Sequence, residues 1–331
     1  MTTDAAGTSE YDRFGPWIDE VRTPSDVPRL FRDHPLDLDA ARLVLKVPRN
    51  IARRDATPDM DLYDHLLVLD AHALTTLSRR PAVAAGRRGG ASPAGFSTST
   101  VPLVDVVAVR DDVSLLDGRL TIRTRDGAEL SVPYNGSAQA RVADLVAGLR
   151  VAAADAGPGV VGRALRDAAR AAGPSPLEPG HDDVALASAM REIVRRHPEV
   201  TPSACHGRVP LRPDATGLRG RARLALHALS PATLHGAVLA TDDVALEVVG
   251  RHAWVLRGRS PVHSRSRLVV PLAALDGLHV APHPVYALAT TATLTAGEAR
   301  LELVVPTGSV AHALLSDAAT RAADAGARTA R

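Results

Sequence analysis

The chain has 331 residues, 45% of them apolar and only 3% aromatic, with a formal charge of +2. That apolar share excludes global disorder, and at roughly 100–200 residues per domain the length suggests about two domains. The near balance of charge excludes a global pull towards nucleic acid or membrane, and scarce aromatics leave the cores to Leu, Val and Ala.

Lys46 is the only lysine. With so much Ala, Gly and Pro, the arginine excess reads as codon bias of a GC-rich genome. Cys205 is the only cysteine, so no intramolecular disulfide is expected and a reducing compartment fits. The polar start from Met1 to Glu10 lacks an apolar signal-peptide core, and no run of 18 apolar residues occurs. The expectation is a cytoplasmic protein with no transmembrane segment.

The opening segment holds Tyr11, Phe14, Trp17 and Phe31, which are expected to pack on their own domain. Thr23-Pro24-Ser25-Asp26 is a helix-start signal. A strand is expected over Ala41–Val47. Next come strands over His65–Leu69 and Ala73–Ser78, joined by the turn Asp70-Ala71-His72. Arg79 to Gly95 has no period and reads as a loop, and Val101–Arg110 resumes strand character. Over Arg119–Tyr134, alternating Leu120, Ile122, Leu130, Val132 and Tyr134 flank Asp126-Gly127, which predicts a β-hairpin. A helix follows with Val142, Leu145, Val146 and Leu149 on one face, and Ser137 is expected to cap it.

An Ala-rich helix is expected between Ala152 and the breaker Gly173-Pro174-Ser175-Pro176. A second helix runs from Asp182-Asp183 to about His197, acidic at its start and basic at its end, with Pro198 as a stop. Thr201 to Gly220 is rich in Pro, Gly and Arg. Strand character is expected again only from about Arg221.

Two stretches of the chain correspond. Leu62, Leu67, Asp70, Ala73 and Leu74 match Leu234, Leu239, Asp242, Ala245 and Leu246. Val101-Pro102-Leu103 recurs as Val270-Pro271-Leu272, and Gly136-Ser137 as Gly308-Ser309. The second stretch has its own hairpin, Thr291–Thr295 with Ala299–Val305, and its own closing helix with Val310, Ala313, Leu314 and Ala318 on one face.

On these segments each copy resembles the bacterial pleckstrin-homology-like (PH-like) domains. The segments of the first copy are His65–Leu77, Val101–Val109, Gly118–Gly127 and Ser137–Leu149. The second copy departs in lacking an Asp-Gly turn and in having Val280–Pro284 where a regular strand is expected. The resemblance implies an α+β fold of two units, each a bent antiparallel β-barrel or sandwich closed by a C-terminal helix. The expected organisation is an aromatic arm over 1–35, a unit over 36–156, a helical linker over 157–204, a divergent unit over 205–325 and a tail over 326–331. Such folds bind lipid headgroups, peptides or other domains, and the fold alone does not choose among them.

Catalytic signatures are sparse. Cys205-His206 are adjacent, and neighbours on a strand point to opposite faces, so a nucleophile–base pair is not expected. His181-Asp182-Asp183 reads as a helix N-cap, while Asp64-His65, His279 and His283 fall in no metal motif. Gly86 to Gly95 lacks the lysine of a phosphate loop, and Gly-x-Ser-x-Gly is absent. The expectation is therefore no enzyme, no cofactor, no metal and no nucleic acid. A scaffold or binding protein with a protein or peptide partner is expected. The alternative is recognition of an anionic lipid or phosphate ligand through two loops without acidic residues. Its candidate side chains are Arg79, Arg80, Arg87 and Arg88 in the first loop, and Arg251, Arg257, Arg259, Arg265 and Arg267 in the second.

Overall fold

The computed structural model describes residues 10–80, 95–152, 157–213, 224, 227–257 and 263–329. It is an α+β protein of antiparallel sheets, with helices that include one at the C-terminal end of the described chain. Two compact units divide it. One comprises Met1–Leu103, Leu116–Arg119 and Val132–Ala152; the other comprises Val104–Leu115, Leu120–Ser131 and Ala153–Arg331.

In the first unit a sheet runs β1 (Asp19–Glu20), β2 (Leu43–Pro48), β3 (Tyr63–Leu69), β4 (Ala73–Arg79) and β5 (Phe96–Pro102) in that order. The aromatic arm packs against it. Phe14 sets its ring edge-on to Tyr63 and Phe31 to Phe96, and Ile18 is buried while Trp17 is exposed. Thr23 to Asp26 forms only a 3-10 turn, held by a capping box, because Pro28 follows before an α-helix can propagate. Helix α2 (Gln139–Ala152) buries the expected stripe Val142, Leu145, Val146 and Leu149 and packs on β2 and β3. Its cap differs from expectation. Asn135 Oδ1 accepts from the Ser137 amide and hydroxyl, so Asn135 is the capping side chain and Ser137 one of its donors.

Most of a seven-stranded sheet falls in the second unit. The sheet's order is β8 (Glu129–Asn135), β7 (Asp117–Thr124), β6 (Val106–Ser114), β15 (Ser264–Pro271), β13 (Ala245–Gly250), β12 (Ala237–Thr241) and β9 (Thr201–His206). The second unit takes residues 120–124 of β7 and 129–131 of β8. A three-stranded sheet of β16 (Gly277–Pro282), β18 (Ala289–Ala296) and β19 (Ala299–Pro306) accompanies it. A small sheet has the order β14 (Val255–Arg257), β11 (Ala232–Leu234), β10 (Val209–Pro213) and β17 (Tyr286–Ala287). Helices α3 (Val160–Ala172) and α5 (Val310–Thr329) pack together over one core, and α4 (Val184–Arg196) covers β12 and β13.

The repeated segments share one hydrogen-bonding plan. Leu69 faces Leu74 across β3 and β4, and Thr241 faces Leu246 across β12 and β13. Ala73 pairs with Pro102 as Ala245 pairs with Pro271. Asp70 Oδ1 accepts from the His72 and Ala73 amides, and Asp242 Oδ1 from the Val244 and Ala245 amides. Both Val-Pro-Leu motifs end a strand and open a 3-10 turn, with Leu103 N donating to His72 O and Leu272 N to Val244 O, each at 2.8 Å. The correspondence loosens at its ends. Leu62 precedes β3 whereas Leu234 closes the separate strand β11, and only Gly308 of the pair Gly136/Gly308 has a positive φ.

Three expectations need correction. No closed barrel forms among the described residues: β6 gives its edge to β15, antiparallel from Val109↔Val269 to Ser114↔Ser264, and the sheets end in open edges. Strands also begin earlier than Arg221, at β9 and β10. Their prolines hide the pattern, and Pro202 is tolerated because β9 is the last strand of its sheet, beside a bulge at Leu239/Ala240. Finally, the Val280 region is a regular strand, β16, paired along its length with β18.

Candidate binding groove

A concavity lies in the second unit, between β16 and α5. Gly277 opens β16, and a Cβ there would meet Thr295 Oγ1 at 2.5 Å, so a larger residue would require the Thr295 hydroxyl to turn away. Because β16 pairs with β18 alone, its other edge carries no strand partner among the described residues.

Helix α5 begins where Gly308, at φ 80°, turns the chain out of β19. Ser309 Oγ accepts from the His312 amide and donates to Pro306 O, while His312 Nδ1 accepts from the Gly308 amide. This reciprocal cap satisfies donors that an uncapped helix start leaves open. One stripe of the helix, Ala311, Leu314, Leu315 and Ala318, is buried in the core. Each fully buried Leu there contributes about 1.5–3 kcal/mol. The neighbouring stripe, His312, Ser316, Ala319, Thr320 and Ala323, lines the groove. Its side chains are short, which leaves about 980 Å³ of space against β16 and the following loop.

That loop forms one end of the groove. His283 Nδ1 accepts from the Val285 and Tyr286 amides, which places the imidazole proton on Nε2. Burial pushes the His283 pKa below the ordinary imidazole value, so the ring is neutral. Tyr286 packs beside it, and its hydroxyl accepts from Arg257. Leu288 stands exposed at φ 64°, a left-handed conformation unusual for a γ-branched side chain. It is held by Thr307 N donating to Leu288 O. None of the lining residues is Asp, Glu, Lys or Arg. The groove therefore offers aliphatic surface, hydroxyls, imidazoles and open strand amides, which suit an uncharged, extended occupant.

The arginines fall elsewhere. Arg79 is paired with Asp64 at 2.7 Å. Arg251 is buried on Asp183, and Arg267 grips the fully buried Glu247 through two hydrogen bonds of 2.9 and 3.0 Å. Arg257 is engaged with Tyr286, Arg80 is exposed and Arg265 is half-buried. Arg87, Arg88 and Arg259 lie outside the described residues. A segment without acids is thus a poor sign of a free cationic surface. The acids that neutralise these arginines sit on other strands and on the start of α4.

The start of α4 also differs from a simple N-cap. Asp183 makes no side-chain capping bond; it is fully buried and accepts from Arg208, Arg251 and the Gly236 amide. Nearby, Cys205 sits on β9 with its thiol pKa raised by burial, and burial keeps His206 neutral. A raised thiol pKa opposes nucleophilic use. Among the described residues no cluster of His, Cys, Asp and Glu could hold a metal ion, and no helix is long and apolar enough to cross a membrane. Comparison with family models, curated proteins and solved structures gives no match.

Proposed function

We propose that this chain is a non-catalytic binding module that accepts an extended, uncharged strand along the β16 edge, against α5. The observation that carries this reading is the open edge of β16 inside a neutral groove of about 980 Å³. Strand addition supplies affinity through backbone amides and carbonyls, while side-chain pockets select alternate residues of the guest. The protein holds an internal precedent: β6, which follows the first Val-Pro-Leu motif as β16 follows the second, already receives the strand β15. A strand pair, a strand ending in Val-Pro, a 3-10 turn, a further strand, a hairpin and a helix recur in that order in each half, which supports reading both as PH-like units whose edges serve recognition. The alternative, anion binding through arginine loops, is weakened because Arg79, Arg251 and Arg267 already hold carboxylates.

The test is selection of random displayed peptides on the full chain, followed by titration of the selected peptides into an Ala319→Trp variant that fills the groove. Uncharged extended peptides should emerge and lose at least tenfold in affinity with the variant. Selected peptides that bind the variant unchanged would place recognition elsewhere.

A further inference from the structure

The β6–β15 junction joins unlike surfaces. The first strand of the three-stranded part of one repeat meets the last strand of the four-stranded part of the other. Such a contact is heterologous, and a heterologous contact between two repeats leaves one half of itself unused on each. In this chain the unused halves are identifiable. The counterpart of β15 in the first repeat is β5, which ends in Val101-Pro102-Leu103 as β15 runs into Val270-Pro271-Leu272. The counterpart of β6 in the second repeat is β16, which follows the second 3-10 turn. Among the described residues, both β5 and β16 are terminal strands of their sheets.

The chemistry of the two edges agrees with this assignment. Exposed edge strands usually carry lysine, an inward charge or a proline that blocks pairing. Strand β5 carries none of these before its last residue: Ser97, Thr98, Ser99 and Thr100 are exposed, uncharged and rich in hydroxyls. The β16 groove is likewise free of Asp, Glu, Lys and Arg. By contrast, the strand already engaged at the internal junction, β15, contains Arg265 and Arg267.

We infer that the strand accepted by β16 is β5 of a second copy of this chain, so that molecules associate head to tail by repeating the β6–β15 junction between chains. This rests on the reading of β16 as a strand acceptor and names its partner. One strand pair is a small interface, so assembly should be weak and grow with concentration.

Sedimentation and light scattering on the full chain test it. The mean mass should rise with concentration from 34.7 kDa to beyond twice that value. A β5 variant with Thr98→Lys and Ser99→Lys should remain monomeric, as should a β16 variant with His279→Lys and Ala281→Lys. Circular dichroism and melting temperature close to wild type establish that each variant is folded. Mixed in equal amounts, the two variants should form a dimer and nothing larger, because one retains β16 and the other β5. A wild type that stays monomeric at every concentration, an assembly that survives both variants, or a mixture that does not dimerise overturns the inference. If the chain is monomeric yet binds selected peptides at β16, only self-association fails. If peptides also ignore β16, the acceptor reading fails with it.

Discussion

Asp183 Oδ1 accepts two hydrogen bonds from Arg251, at 2.9 Å from Nε and 2.6 Å from Nη2, with the carboxylate fully buried and the guanidinium nearly so. Arg208 binds the same carboxylate from β10's approach, so one side chain ties the start of α4 to the ends of two sheets. Removing one partner of a buried ion pair leaves an uncompensated charge, which costs about 3–5 kcal/mol. Asp183→Ala should therefore lower unfolding stability by that amount in urea titrations. A loss under 1 kcal/mol would show that the pair is not held as described.

The same carboxylate sets a pH dependence. Burial alone would raise the Asp183 pKa, but the hydrogen bonds from Arg208 and Arg251 outweigh it and hold the value below the ordinary one. Its stabilisation is complete above the unfolded aspartate value of about 3.9. It disappears as pH falls through the lower folded value. Asp183→Asn should flatten the acid limb of the stability profile between pH 5 and 2, on the order of one protonation step.

Much of the fold could be read from residues next to one another in sequence. The Asp70 turn, the Asp126-Gly127 hairpin and the buried stripe of α2 depend on spacing within a few positions, and each forms as its spacing suggests. What could not be read depends on distant partners. Nothing near Arg251 or Arg267 announces Asp183 or Glu247, and the pairing of β6 with β15 joins segments with no common pattern. The groove is similarly hidden: its small α5 stripe looks like ordinary alanine-rich helix until β16 lies opposite.

Gly162 lies within α3, where alanine would ordinarily gain about 0.8–1.0 kcal/mol of helix propensity. Here a Cβ would meet Leu272 O at 2.2 Å and Leu272 C at 2.8 Å, both backbone atoms of the second Val-Pro-Leu motif. Overpacking of this kind costs about 1–3 kcal/mol. Gly162→Ala should therefore melt earlier than wild type in calorimetry, despite the better helix former. A higher melting temperature would refute the close approach of helix and turn.

Protonation of His283 would convert the Nδ1 acceptor into a donor and expel the Val285 and Tyr286 amides. Since burial lowers its folded pKa, the loop's stabilisation is complete above the unfolded value of about 6.5. It is lost as pH falls through the folded value. Amide exchange of Val285 and Tyr286, corrected for intrinsic rates, should accelerate on acidification below pH 6. In His283→Asn that added acceleration should be absent.

The Asp70 and Asp242 turns offer a matched pair of substitutions. Each carboxylate accepts from two backbone amides, so Asp70→Ala and Asp242→Ala should each cost about 0.5–2 kcal/mol, the range for losing a capping side chain. Urea titrations that gave a large loss at one site and none at the other would contradict their common geometry.

The pairing of Ser114 with Ser264 and Val109 with Val269 also has a consequence for synthesis on the ribosome. Strand β6 leaves the exit tunnel long before the strand that covers its edge has been translated. At about 5–20 residues per second the intervening stretch takes roughly 7–30 s to make. During that interval β6 presents bare amides and carbonyls to every other nascent chain on the same message. Sensitivity of soluble yield to translation speed is the expected consequence of that one long-range strand pair.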